Sequence, residues 1–297
     1  MGGIPLAEAG AALVRLDPAV LFSDVDGTLV GRDGSLFADL DGGLTLAAAE
    51  ALVAAKAGGL DVVLVSGRNE AQLREANRLL GLRDAIGELG TVLVLGRQVE
   101  LLWGATPREL GATPHEALER SGATDLVLTT FGRSIEPHAP WHLGRVGTAL
   151  LRGRVNPAEV EAVLAAAGMG WVRLLDNGRL RGAYPQLSGE GPAHAYHLLP
   201  AGVSKAAAAA AYLERRGLRA SQAAAIGDSP ADLGLAGSVG AAFLVQNGAW
   251  AAAADTGEAG NGADTGTPVI VTPSSAGQGF AEAVHALLDH RKRAEPG

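Results

Sequence analysis

Short apolar runs alternate with longer Ala- and Leu-rich stretches of helical period, and no other feature of this chain constrains its fold as much. AVLFSDV at 19–25 leads to a helix near 43–57 and then to DVVLVS at 61–66. After residue 203 the same rhythm returns. It runs through a helix over about 204–216, AAAIG at 223–227, a helix near 230–236, AAFLV at 241–245, PVIVT at 268–272 and a closing helix near 278–292. Apolar runs joined through helices predict a mostly parallel sheet flanked by helices.

Between 106 and 199 the rhythm stops. TPRELGATPHEAL reads as a linker and helix start, and LVLTTF, RVGTALLRGRV, WVRLL and AYHLL read as strands. A helix over 157–167 starts behind Asn156 as its cap, with Pro157 in the first turn. These residues are expected to form an inserted α+β domain between core segments 1–105 and 200–297. Asp176-Asn177-Gly178 lies between two strand-like runs and predicts a hairpin turn, because Asn and Gly tolerate positive φ. The stretch 249–267, rich in Gly and other small residues, predicts a mobile surface loop.

Composition narrows the classes of function. Hydrophobic residues make up 47% and charged residues 19% of the 297, which supplies a substantial core and argues against a disordered chain. Asp plus Glu outnumber Lys plus Arg by 32 to 24, and the densest basic run is only Arg291-Lys292-Arg293, so nucleic acid is not an expected partner. Cysteine is absent, which excludes disulfides, thiolate metal sites and a cysteine nucleophile. The first residues lack a basic start and are interrupted by Glu8 and Arg15, unlike a signal peptide. The uncharged run 236–254 is broken by Ser238, Gly240 and Gln246-Asn247-Gly248, unlike a membrane span. The cytoplasm is the expected location.

Four places carry chemistry. In LFSDVDGTLV at 21–30 an apolar strand runs into two carboxylates, Asp24 and Asp26, and then into a Gly-Thr turn. Ligands of open α/β sheets bind at that end of the strands, where turn amides can meet a phosphate. VVLVSGR repeats the arrangement, ending in Ser66, a donor to phosphate oxygen, with Gly67 allowing close backbone approach and Arg68 entering a helix. Lys205 opens a helix within GVSKAAAAAAYLERRG. AAAIGDSPADLGLA places Asp228 after a strand and a glycine, and Asp232 four residues later on a helix's first turn. An oxygen-only, carboxylate-rich ligand set suits magnesium rather than zinc.

In this order DVDGT, Ser66 followed by Gly-Arg, Lys205 and GDSPAD resemble the four motifs of the haloacid dehalogenase superfamily. The inserted segment between the second and third motifs, re-entered through Gly-Val-Ser-Lys, resembles the Cof-type phosphatase branch. The resemblance implies an α/β fold, a Rossmann-like doubly wound parallel sheet core with an inserted α+β cap domain. It implies that Asp24 is the nucleophile and Asp26 the general acid and base. Thr28 would stabilise the turn, and Gly27, Ser66, Gly67, Lys205 and Asn247 would meet the phosphate. Magnesium would be held by Asp24, by the backbone carbonyl of Asp26 and by Asp228, with Asp232 supporting the metal from behind or steadying Lys205. Two positions depart from the pattern. Ala231 stands where Asn often precedes the second Asp of the fourth motif, and Leu89 stands where an Asn-Gly pair is common.

The function expected is hydrolysis of a small phosphate monoester, a sugar phosphate first, through an aspartyl phosphate. Two alternatives use the same residues differently: a phosphosugar mutase or phosphotransferase, and a non-catalytic protein that binds phosphorylated metabolites. Glu136, His138, His142 and Arg145 form the densest polar group of the inserted segment and, with Arg68, are candidates for reading the leaving group. The expected partner is a small phosphorylated metabolite, with no membrane or nucleic acid, and the chain is expected to be a monomer or small homo-oligomer.

Overall fold

A computed structural model of the chain describes residues 3–248 and 266–294. The stretch predicted as a mobile loop, 249–267, lies outside the described residues except for its last two. Thirteen strands occur among the described residues: β1 (Ile4–Pro5), β2 (Val20–Ser23), β3 (Asp61–Val65), β4 (Ala85–Gly87), β5 (Val92–Leu95), β6 (Gln98–Leu101), β7 (Ile135–Pro137), β8 (Ala149–Gly153), β9 (Val172–Arg179), β10 (His194–Pro200), β11 (Ala223–Gly227), β12 (Ala241–Leu244) and β13 (Val269–Val271). The chain divides into two compact units. One comprises Met1–Ser66, Arg74–Ile86 and Lys205–Gly297; the other comprises Gly67–Leu73 and Gly87–Ser204.

In the first unit seven strands follow the order β1-β13-β12-β11-β2-β3-β4, and all six neighbouring pairs are parallel. Every residue of β2, β11 and β12 is buried, as a parallel sheet covered on both faces requires. The helices Ala47–Ala57 and Ala276–Ala294 pack together. Ala48, Ala51, Leu52 and Ala55 of the first are buried, the spacing of one helical face. This is the doubly wound core. Sequence periodicity does not announce β1, which is two residues long and is held by pairing with β13.

The second unit holds an antiparallel hairpin, β5 and β6, and an antiparallel sheet ordered β7-β8-β10-β9. Its core joins Leu118, Ala123, Val127, Val160 and Leu164 from three helices to Leu151, Leu174 and Leu198 of the sheet. Along β9, Val172 and Leu174 are buried while Arg173 and Leu175 are exposed, the period-two signature of a half-covered strand. The helix Pro157–Ala166 begins where expected, with the Asn156 side chain accepting from the Ala158 amide at 3.0 Å.

Two local expectations fail here. LVLTTF is not a strand but the end of a helix, Ala123–Phe131. Its Val and Thr residues favour strands, yet Ala123 and Val127 recur four apart and bury one face in the core, and packing overrides the weak propensity. Asp176-Asn177-Gly178 is not a hairpin turn, because β9 runs on through it to Arg179. His194 pairs with Arg179 and Tyr196 with Asp176, so β9 carries one residue more than its partner, which is a β-bulge. Gly178 adopts φ 98° and its amide donates to Asp176 Oδ1 at 2.8 Å. The left-handed glycine was legible, but a bulge uses it as readily as a turn does.

No helix among the described residues is long and apolar enough to cross a membrane.

Candidate active site

Parallel register brings the first unit's candidate residues to one edge of its sheet. β2 pairs with β3 through Ser23 and Leu64, and with β11 through Ser23 and Ile226. Asp24 therefore emerges one residue past the paired core, and Ser66 and Asp228 two residues past it, all at carboxyl ends. Gly227 pairs with Leu244, which puts Asn247 three residues beyond β12 at the same edge. After Asp24 the chain folds into a tight turn in which the amides of Leu29 and Val30 donate to the Val25 carbonyl. Gly27 takes φ +90°, and a Cβ there would lie 2.4 Å from Asp228 Oδ2, so only glycine fits. Asn247 Nδ2 ties this turn down by donating to the Gly27 carbonyl at 2.9 Å, and its Oδ1 accepts from the Ala276 amide at 2.8 Å. Thr28 is buried, and its hydroxyl finds no hydrogen-bond partner among the described residues. Asp26 is exposed beside it.

The charges are crowded. Lys205, 5% exposed, donates from Nζ to Asp24 Oδ1 at 2.7 Å and to Asp232 Oδ1 at 2.6 Å. The other Asp232 oxygen accepts from the Ser229 amide at 3.1 Å and from the Ser229 hydroxyl. Both oxygens of Asp232 are thus engaged. Burial raises the Asp24 carboxyl well above its ordinary range despite Lys205 beside it. Burial, and then repulsion from Asp232, pushes Asp228 up to about 7. Burial alone would lower the Lys205 ammonium, but Asp232 and Asp24 hold it above its usual value.

Carboxylate oxygens of Asp24, Asp228 and Asp232 all lie within 4.8 Å of one another. Three carboxylates face one ammonium, so ionising all three leaves an excess of negative charge in a desolvated place. A hard dication bound there would offset it. The donor set is all oxygen, as magnesium prefers.

The remaining candidates lie in the second unit. Gly67 follows Ser66, and a Cβ on it would lie 2.8 Å from Asn177 Nδ2 and 3.1 Å from His197 Nε2. Arg68 anchors the turn through its backbone, its carbonyl accepting from the Glu88 amide at 2.9 Å. Glu136 accepts from Arg152 Nε at 2.7 Å and from Gln186 Nε2 at 2.8 Å. Burial, followed by the charges of Arg152 and Arg145, lowers His138 to about 4, so its ring is neutral near neutral pH. The Nδ1 atoms of His138 and His142 are buried without hydrogen-bond partners among the described residues. Arg145 is not grouped with Glu136; its guanidinium is buried against Glu88. The sequence reading passed over Glu88, Thr148, His197 and Ser229. Glu88 and His197 sit in apolar surroundings and read as core, and only tertiary contacts give them polar partners.

A sequence model described as haloacid dehalogenase-like hydrolase matches residues 188–255. No curated protein matches the chain by sequence. A Thermoplasma acidophilum protein of known structure is 18% identical, covers 91% of this chain and 99% of its own, and superposes with a TM-score of 0.63. The sucrose-phosphatase of Synechocystis sp. PCC6803, solved with sucrose and phosphate, is 16% identical, with coverages of 92% and 98% and a TM-score of 0.60. A chain described as a HAD/COF-like hydrolase from Plasmodium vivax is 14% identical, with coverages of 97% and 100% and a TM-score of 0.59. The fold is that of the haloacid dehalogenase-like hydrolases, a Rossmann-like core with a cap. Within that fold, the chain is similar to the HAD/COF-like hydrolase, and residues 188–255 match the hydrolase sequence model.

Proposed function

We propose that this chain is a magnesium-dependent phosphatase acting on a small phosphate monoester, with sugar phosphates the first class to test. The observation that carries the reading is the buried meeting of Asp24 and Lys205 beside Asp228 and Asp232, at the carboxyl edge of a parallel sheet. The neighbouring sucrose-phosphatase, bound to a sugar and phosphate, supports the substrate class.

Asp24 attacks phosphorus from the end of β2, forming an aspartyl phosphate and releasing an alcohol. Asp26, exposed two residues on, protonates the departing oxygen and, once ionised, deprotonates the water that hydrolyses the intermediate. Lys205 orients the Asp24 carboxylate, and Asp232 holds Lys205 in place. Ser66 receives a phosphate oxygen, and Asn247 holds the Gly27 turn beside it. Asp24, the Asp26 carbonyl and Asp228 would hold magnesium, which supplies charge neutralisation for phosphate and carboxylate together. Residues 106–199 act as the substrate-reading cap, with Arg68, Glu136, His138 and His142 as candidate contacts; the unpartnered ring nitrogens of the two histidines suit hydroxyl groups.

The test is a phosphate-release screen over sugar phosphates, nucleotides and phosphorylated cofactors, with and without magnesium and with Asp24→Asn as control. Magnesium-dependent release lost in Asp24→Asn supports the reading. An isomeric ester formed without free phosphate assigns a mutase instead, and binding without turnover assigns a non-catalytic protein.

A further inference from the structure

Glu88 and Leu89 adopt φ 47° and 58°, a left-handed conformation that is unfavourable for a non-glycine residue. Such a conformation persists only where its surroundings hold it. The Glu88 carboxylate, wholly buried, accepts from the amides of Val146 at 3.1 Å, Gly147 at 3.1 Å and Thr148 at 2.8 Å, and from the Thr148 hydroxyl at 3.0 Å. The strained turn thus aims a carboxylate at one loop and organises it. The same loop carries Arg145, whose side chain is 2% exposed and whose Nη1 lies 3.8 Å from Glu88. That nitrogen donates to Thr148 Oγ1 at 3.2 Å and to the Gly67 carbonyl at 3.0 Å, while Nε donates to the Trp141 carbonyl at 3.1 Å.

Two further bonds grip the same short segment. Asn69 Nδ2 donates to the Leu143 carbonyl at 3.1 Å, and the Glu88 amide donates to the Arg68 carbonyl at 2.9 Å. Three successive residues, Gly67, Arg68 and Asn69, are therefore each held by the Glu88 turn or by the loop it organises. A guanidinium so enclosed, with its bonds committed to backbone carbonyls and a threonine, is built to fix a main chain and not to greet a leaving group.

We infer that Arg145 is a positioning residue: backed by Glu88 and Thr148, it fixes the Gly67 carbonyl and thereby the turn that presents Ser66 to phosphate. The inference rests on the phosphatase reading for the purpose of the turn, but not for the grip itself. Arg145→Lys keeps the charge and loses the branched geometry, and Arg145→Met loses both. Hydrogen exchange of the amides in 67–73 is expected to accelerate about tenfold or more in Arg145→Met and by less in Arg145→Lys. For esters that the wild type turns over, KM and the inhibition constant of inorganic phosphate rise by one common factor, whatever the leaving group. Should Arg145→Met fail to fold, Thr148→Val provides the same readouts. Unchanged exchange in the variants overturns the inference, and a KM that rises for one leaving group alone overturns it by making Arg145 a substrate contact. A wild type without turnover fails the phosphatase reading, and the exchange measurement still decides the grip.

Discussion

The molecule buries charge in two places, and they are constructed on opposite terms. In the second unit Glu88 and Arg145 balance each other, and four hydrogen bonds satisfy the carboxylate from one loop. In the first unit Asp24, Asp228 and Asp232 cluster beside Lys205, the one cation paired with them among the described residues, and two of those carboxyls are driven upward by burial. The balanced cluster is complete in itself and serves geometry. The unbalanced one carries more carboxylate than ammonium, an excess that a bound cation would offset. Buried charge is therefore not by itself a mark of catalysis; uncompensated buried charge at a sheet's carboxyl edge is the more telling sign.

The comparison breaks first at Asp24. Asp24→Asn is expected to reduce phosphate release about a thousandfold or more while the chain stays folded, since the amide is a poor nucleophile yet fills the same space. Retained turnover would remove the functional half of the contrast. Lys205→Met strands two buried carboxylates and should cost about 3–5 kcal/mol in urea unfolding near neutral pH, with part of the loss regained on adding magnesium. Glu88→Gln should cost about 2–3 kcal/mol by removing charge-assisted hydrogen bonds, and magnesium should restore none of it. Combining it with Arg145→Met should cost less than the sum of the two, as for residues in one network.

A gentler test uses pH. Asp228 titrates near 7 in the folded chain and near 3.9 when unfolded, so the native state holds the extra proton between these values. Its stability is then lost as pH rises through that window. With a chelator present, the unfolding free energy should fall from about pH 4 toward about pH 7, and excess magnesium should flatten the slope. Asp228→Asn should flatten it without metal; a slope unchanged in that variant would assign the effect elsewhere. The smallest change lies away from both clusters. Asn156→Ala removes one helix cap and should cost about 1 kcal/mol by thermal unfolding, with KM and kcat unmoved.

Much of the first unit was legible because its signals are local. A strand buried on both faces reads as an apolar run, and Asp24, Ser66, Asp228 and Asn247 follow such runs by one to three residues. Parallel register then delivers them to one edge. The second unit was harder to read, for its strands are half-covered and its turn chemistry is ambiguous. LVLTTF has strand-forming residues on a helical face, and Asn177-Gly178 serves a bulge.

The order of the four motifs and the parallel α/β core were set by the amino-acid sequence alone, since period and spacing are properties of neighbouring residues. What only the tertiary structure decided is the fate of Arg145 and Glu88. Glu88 meets its hydrogen-bond donors 58 to 60 residues further along the chain, beyond the reach of any local pattern. A buried glutamate without those donors would be among the costliest residues in the molecule; with them, it holds the loop that grips Gly67.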